Sequence, residues 1–349
     1  MKAVVIHAAK DLRIEERDSK GLRANEVRIK TEFGGICGSD LHYYQHGGFG
    51  QIRLREPMIL GHEISGVITE VGPENGNGPS KFKPGDRVAV SPSRPCGKCR
   101  YCAQEMFNHC LEMRFYGSAM PMPHIQGAFR QELVAFVDQC HLISPSIPAQ
   151  MAAFAEPLAV VLHAARRAGS LEGKSVLITG CGPIGALAVL VARAQGAARI
   201  TVTDILDPAL KIAREIGADH IINAAQDPDW ATEFASQKGS FDVMIEASGH
   251  PSAILSGLEV LRPGSVLVQL GLGGEVALPL AAIVTREIEL RGAFRFHQEF
   301  ADAVAMINAS ALNLAPLLSA TFGLSEATQA FELAGDRSRA MKVQLDFSL

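Results

Sequence analysis

A chain of 349 residues, 47% hydrophobic and 20% charged with a formal net charge of −4, has the composition of an ordinary globular protein. Its length suits two domains better than a single core. The slight acidity and the lack of any long run of like charge exclude a typical nucleic-acid binder.

The first apolar run, around Val4-Val5-Ile6, ends at Lys10 and Asp11, too soon for an export signal, so a cytoplasmic protein is expected. Residues 1–150 then read as short strands with little helix: 4–6, 12–15, 26–31, 66–71 and 87–90 run apolar or alternate at strand length. Turns separate them at Gly72-Pro73, in the Gly- and Asn-rich loop 74–80 and at Lys83-Pro84-Gly85-Asp86. A small β-barrel-type domain carrying its chemistry on loops is expected.

Two of those loops hold Cys37-Gly38-Ser39-Asp40-Leu41-His42 and Gly61-His62-Glu63. A thiol, an imidazole and a carboxylate recur there beside Gly34, Gly35, Gly38 and Gly61, which let backbone turn tightly around an ion. These are zinc-type ligands, and a catalytic zinc keeps three of them while leaving a fourth position open. Further on, Cys96, Cys99, Cys102 and Cys110 are spaced to converge as a closed four-thiolate site, which is structural because nothing is left for substrate. Cys140 and Cys181 fall outside both groups and read as buried thiols.

From about residue 151 strand and helix alternate. The strand 175–179 runs into Gly180-Cys181-Gly182-Pro183-Ile184-Gly185 and an apolar helix, and the strand 199–204 ends in Asp204. Residues 175–192 are uncharged, but their glycines and proline favour strand, turn and helix over a membrane span. A Gly-x-Gly-x-x-Gly turn between strand and helix binds a dinucleotide diphosphate, and an acid closing the next strand takes the adenosine ribose hydroxyls. Asp204 therefore favours NAD, with NADP possible in principle. Strands are expected at 218–222, 241–247, 265–270 and 287–292, and a helix from Asp207-Pro208 to Gly217. The fold class is α/β: a doubly wound parallel Rossmann sheet joined to the barrel-type domain. The domains are expected at 1–151 (catalytic), 152–293 (NAD-binding) and 294–349 (a return to the catalytic domain).

Taken together, Cys37 to His42, Gly61-His62-Glu63, the four-cysteine lobe, Glu156-Pro157 and the glycine fingerprint resemble the zinc-containing medium-chain dehydrogenases, with their GroES-like catalytic domain, over essentially the whole chain. Cys-Gly-Ser-Asp-Leu-His-Tyr and Ala155-Glu156-Pro157-Leu158 are similar to the polyol branch related to sorbitol dehydrogenase. The runs Met113 to Met120, Ser248 to Ser252, Leu290 to Phe296 and Lys342 to Leu345 resemble the members of that branch that act on a sugar acid.

The resemblance implies two zinc ions per subunit and interconversion of L-idonate and 5-keto-D-gluconate, with a sorbitol or xylitol type of activity as the alternative. It implies a catalytic zinc on Cys37, His62 and a glutamate, which is Glu63 or Glu156, reaching the metal directly or through water. Ser39 matches the family's first proton-relay hydroxyl and His42 its outlet. Tyr43, Glu156 and Arg295 match positions that contact polyol hydroxyls, while Phe296 stands where a tyrosine is usual. A sugar acid also needs a cation for its carboxylate, and Arg114 and Arg295 are the candidates, with His124 a lesser one. A homodimer or homotetramer is expected from the family.

Overall fold

A computed structural model describes residues 1–73 and 81–349, so the Gly- and Asn-rich loop 74–80 lies outside the described residues. The first half is built around the long strand Glu26–Gly35, which pairs antiparallel with Glu63–Val71, Glu132–Phe136 and Lys342–Asp346. Its alternation buries Val27, Ile29 and Thr31 against Ile64, Ile68 and Leu133 while Arg28 and Lys30 turn outward, the period-2 pattern of a half-covered sheet. The partner Lys342–Asp346 comes from the far end of the chain and brings Leu318–Gly323 with it in parallel.

One element in this half departs from the strand-only expectation: Gly38–His46 is an α-helix. Cys37 is its N-cap, and Asp40, three residues on, accepts the Cys37 N–H at 3.1 Å, which satisfies a donor that a helix start leaves open. Gly47 closes the helix in the left-handed conformation at φ 67°. Its glycine-rich start and two consecutive tyrosines carry no clear 3.6-residue apolar period, so the element was hidden behind its ligand motif.

The second half is a six-stranded, all-parallel sheet in the order His220–Asn223, Arg199–Asp204, Ser175–Thr179, Phe241–Glu246, Leu261–Gln269, Glu289–Gly292. Order 3-2-1-4-5-6 is the doubly wound arrangement, with its switch point at the end of the first strand. The fifth strand begins earlier than expected because Pro263-Gly264 sits within it, at a register shift with Gly264 at φ 72°. The sixth begins later, since the helix Leu280–Arg286 ends at Glu287 in the left-handed region, φ 53°. Residues 175–192 divide between a strand and the helix Pro183–Ala194, and no helix among the described residues is long and apolar enough to cross a membrane.

Between the two halves lies the helix Ala155–Ala168, whose Ala-rich faces allow close packing on both sides. The helix Glu299–Asn308 packs along it, so Phe296, Phe300, Val304 and Ile307 share a core with Leu158, Val161, Val176 and Val189, and the chain rejoins the first sheet only from Leu318. A polar cluster fixes that contact. Glu299 accepts from His163 Nδ1 at 3.0 Å, Arg166 Nη1 at 2.8 Å and the His297 N–H at 3.1 Å.

Burial by itself would raise the Glu299 carboxyl, but hydrogen bonds from His163 and from backbone N–H groups hold it at about 2. A carboxylate depressed from about 4.5 contributes stability that is complete above pH 4.5 and is lost as pH falls toward 2. At ~1.4 kcal/mol per pH unit of displacement the ceiling is about 3 kcal/mol, and solvent screening around the exposed Arg166 partner brings the contribution to roughly 1–2 kcal/mol. Glu299→Gln is expected to unfold at lower urea concentration than the parent at pH 7, with the gap closing as pH approaches 2. A pH-independent gap would assign the effect to packing instead.

Candidate active site and metal centres

The helix Gly38–His46 and the strand Glu63–Val71 start side by side, and one buried carboxylate joins them. Asp40, fully buried, accepts the Cys37 N–H through Oδ2 and the Gly61 N–H through Oδ1, both at 3.1 Å. Gly61 makes that approach at φ 88°, where a side chain would collide with the Phe129 ring. The tie brings the donor atoms of Cys37, His62 and Glu63 within 4.8 Å of one another, with His62 and Glu63 buried. Glu156 is not part of this group; it enters from the first turn of the helix Ala155–Ala168 and makes no hydrogen bond among the described residues.

The electrostatics of the cluster favour positive charge. Burial opposes an imidazolium, yet Asp40, Cys37 and Glu156 together raise His62 well above its ordinary value. His62 Nδ1 is buried without a hydrogen bond, 3.8 Å from Asp40 Oδ1. Burial, opposed by His62 and reinforced by Glu63, pushes Glu156 up to about 7. Glu63 Oε1 accepts from Lys342 Nζ at 2.7 Å, and Oε2 touches the same ammonium without a hydrogen bond of its own. One sulfur, one imidazole nitrogen and one carboxylate oxygen, converging in a buried site, fit a zinc ion with one open position.

Lys342 carries no signal in the sequence beyond being a cation in an apolar strand, and it was not anticipated. It is 3% exposed and also donates to the Ile36 carbonyl at 3.0 Å. Gly35 is required beside it, since a methyl there would overlap Glu63 Oε2.

The sulfurs of Cys96, Cys99, Cys102 and Cys110 also lie within 4.8 Å of one another, and all four are free thiols. Cys99 is drawn down to about 6, chiefly by the Cys102 and Leu111 N–H groups, whereas burial raises Cys102 to about 12. N–H groups aimed at sulfur stabilise thiolate, the form that binds metal, so this donor set fits a closed zinc site.

Above the first cluster the substrate candidates divide. Ser39 is half-buried and His42 exposed, one helical turn apart on the same face. Tyr43 is buried, and its hydroxyl accepts the Ala119 N–H at 3.0 Å. Arg295 stands over Phe115 at 4.5 Å, and that ring lies 5.5 Å from the His62 ring. Its backbone is held at φ 54°, and it forms no ion pair among the described residues.

Three other expectations are corrected. Arg114 is exposed; Phe115 points at His62, and strand alternation sends its neighbour Arg114 to the opposite face. His124 is buried and committed on both nitrogens, Nε2 to the Arg55 N–H at 2.9 Å and Nδ1 to the Pro121 carbonyl at 2.9 Å. Phe296, at the position where a tyrosine is usual, is fully buried with its ring 5.8 Å from that of Phe300, so here the position serves the core.

The glycine turn lies at the sheet's switch point. Gly180 is at φ 82°, where a methyl would meet Ser248 at 2.7 Å, and Gly185 packs against the Gly180 carbonyl too closely for any side chain. Gly182 caps the helix Pro183–Ala194, so Pro183 and Ile184 form its first turn with their amide end open to an anion. Asp204 accepts from the Cys181 N–H at 2.6 Å and from the Ile205 and Leu206 N–H groups at 2.7 and 2.9 Å. Those bonds fix the carboxylate at the rim of a cavity of about 780 Å³ lined by Gly180, Gly182, Asp204 and Ser248.

Comparison with known proteins agrees with this geometry. Residues 23–145 match the family model described as an alcohol dehydrogenase GroES-like domain, and residues 183–309 that described as a zinc-binding dehydrogenase. The L-idonate 5-dehydrogenase (NAD(P)(+)) of Escherichia coli (strain K12) is 42% identical over 324 residues, covering 93% of this chain and 92% of that protein. The sorbitol dehydrogenase of Gallus gallus is 34% identical over 347 residues, 98% and 95% of the two chains. The crystal structure of L-idonate 5-dehydrogenase from Escherichia coli superposes with a TM-score of 0.94 at 40% identity, covering 99% and 98%.

Removing one partner of a buried ion pair costs about 3–5 kcal/mol because the other charge is left stranded. Lys342→Met, measured by urea unfolding of chelator-treated protein, is expected to lose stability of that order, and adding Glu63→Gln to recover most of it. A double variant no more stable than the single one would show that the pair is not the source.

Proposed function

The chain belongs to the zinc-dependent alcohol dehydrogenase family, in its polyol dehydrogenase branch, and from that premise we propose that it interconverts L-idonate and 5-keto-D-gluconate by hydride transfer with a nicotinamide cofactor. Arg295 carries the sugar-acid reading. It is a guanidinium without an ion-pair partner among the described residues, held against Phe115 beside the metal-ligand cluster and within Coulombic reach of Glu156 and Tyr43. A planar guanidinium suits a carboxylate bidentately, and a simple polyol offers it none. The sorbitol-type alternative draws on Tyr43 and Glu156, which offer hydroxyl contacts without needing a carboxylate.

In this reading Cys37, His62 and Glu63 hold the catalytic zinc, and Cys96, Cys99, Cys102 and Cys110 a structural one. Zinc, when bound, supplies the Lewis acidity that brings an alcohol's pKa toward neutrality. Glu156, a carboxyl pushed up to about 7 by burial, exchanges a hydrogen bond with substrate or water rather than binding metal. Ser39 takes the hydroxyl proton and passes it along the helix face toward His42 at the surface. Burial, His46 and Arg337 lower the His42 pKa, so its imidazole is neutral and able to accept the proton at pH 7. The glycine turn orients the cofactor, and the Asp204 carboxylate favours NAD over NADP by repelling a 2′-phosphate.

Zinc analysis of the purified protein is expected to give two ions per chain, with Cys37→Ala retaining the structural one and Cys99→Ser losing it. NADH formation is expected with L-idonate and not with D-gluconate, D-sorbitol or xylitol, and to stop on chelation. Arg295→Ala is expected to raise KM for L-idonate by about 10- to 100-fold, the loss of a charge-assisted pair. Turnover of sorbitol or xylitol in preference to L-idonate would overturn the sugar-acid reading and keep the chemistry.

A dimer through the sheet edge completes the proposal. Glu289–Gly292 is an edge strand, and beside it Leu280, Val284 and Leu290 are exposed by 68%, 72% and 48%. Light scattering is expected to report a dimer or a multiple of it, and Val284→Asp to shift it toward monomer. A monomeric parent would overturn this part.

A further inference from the structure

The residues between the helix Ala327–Gly335 and the strand Lys342–Asp346 cross from the catalytic half to the cofactor cleft. Asp336 holds the crossing: its carboxylate accepts from the Ser338 N–H at 3.1 Å and the Ser338 hydroxyl at 2.6 Å, and its carbonyl from the Arg339 and Ala340 N–H groups at 3.1 Å. Arg337 is carried within this turn and extends over the cleft.

Its guanidinium has two close glycine neighbours. A methyl group on Gly182 would lie 3.6 Å from Arg337 Nη1, and one on Gly38 would lie 4.0 Å from Nη2. The first belongs to the fingerprint turn and the second to the ligand-bearing helix start, so the head group lies between the two halves. Both neighbours are glycines, which leaves the space around the head group open. Its electrostatic neighbours are Cys37 and Asp204, and it has no hydrogen-bonded or ion-paired partner among the described residues. Surrounding protein atoms lower its pKa, yet the head group stays open to solvent at the cleft and no protein carboxylate is in direct contact with it, so the charge is free to meet an anion there.

The position along a bound dinucleotide follows from its neighbours. Asp204 marks the adenosine ribose end and Cys37 the end where hydride is transferred. The diphosphate joins these ends, and the Gly180–Gly185 turn is the part of a Rossmann domain that meets it. We propose that Arg337 is a cofactor-binding residue that closes over the diphosphate from the catalytic half, opposite the amides of the glycine turn. The two halves are thereby joined through the cofactor: one contributes the amides, the other the counter-charge. The inference rests on the dinucleotide reading of the glycine turn.

The test uses the zinc-loaded full-length protein and follows NADH binding by fluorescence titration, with ADP-ribose and adenosine as competitors. In Arg337→Ala, NADH and ADP-ribose are each expected to bind about 10- to 100-fold more weakly, as for a lost charge-assisted contact, while adenosine, which lacks the diphosphate, is unchanged. Arg337→Lys is expected to fall between parent and alanine variant, because it keeps the charge and loses the fork. Unchanged NADH and ADP-ribose affinity, or an equal loss for adenosine, would overturn the inference while leaving the dinucleotide reading intact. A parent protein that binds neither NADH nor ADP-ribose would overturn that reading itself.

Discussion

The arrangement depends on gathering acidic groups in a buried place. Cys37, Asp40, Glu63 and Glu156 converge where water is scarce, and the chain supplies one ammonium, Lys342, from a strand near its other end. An isolated carboxylate there would be strongly unfavourable, so the ligand turn depends on the docked strand Lys342–Asp346 for its counter-charge. Its antiparallel pairing with Glu26–Gly35, and the room left by Gly35, place that ammonium against Glu63. The same segment carries Arg337 into the cofactor cleft, so one crossing serves the metal turn and the glycine turn.

The four-cysteine lobe has a comparable part on the substrate side. Asn108 Nδ2 donates to the Phe294 carbonyl at 2.9 Å, and the Phe107 ring lies 4.4 Å from that of His297. These contacts bracket Arg295 on either side of its left-handed backbone conformation, which costs free energy in a residue other than glycine. The four-cysteine lobe therefore packs against the segment that carries Arg295, on both sides of that residue.

Charge is handled differently at the hinge between the halves. Glu299 is satisfied by His163, Arg166 and a backbone N–H, and its carboxyl is held low. Glu156 lies on the same helix as His163 but has no such partners, and its carboxyl is pushed up. One helix therefore presents a group that meets a satisfied anion at its far end and a carboxyl open to exchange at its near end. The difference comes from partners, since both carboxylates are nearly inaccessible to solvent.

The sequence by itself determined whatever is local. The cysteine spacing from Cys96 to Cys110 closes within one lobe, and the glycine turn between Ser175–Thr179 and Pro183–Ala194 is a single strand-turn-helix unit. The strand and helix alternation after residue 151 yields the parallel sheet because short-range periodicity suffices to read it. Only the tertiary structure decided what depends on residues far apart in the chain. Glu63 meets Lys342, Arg295 stacks on the Phe115 ring beside His62 while Arg114 faces outward, His124 is consumed by Arg55 and Pro121, and Arg337 reaches Gly182. The physical reason is that a side chain's charge and hydrogen-bond partners are set by the faces that packing brings together. A residue's type announces what chemistry it offers; the fold decides which groups receive it.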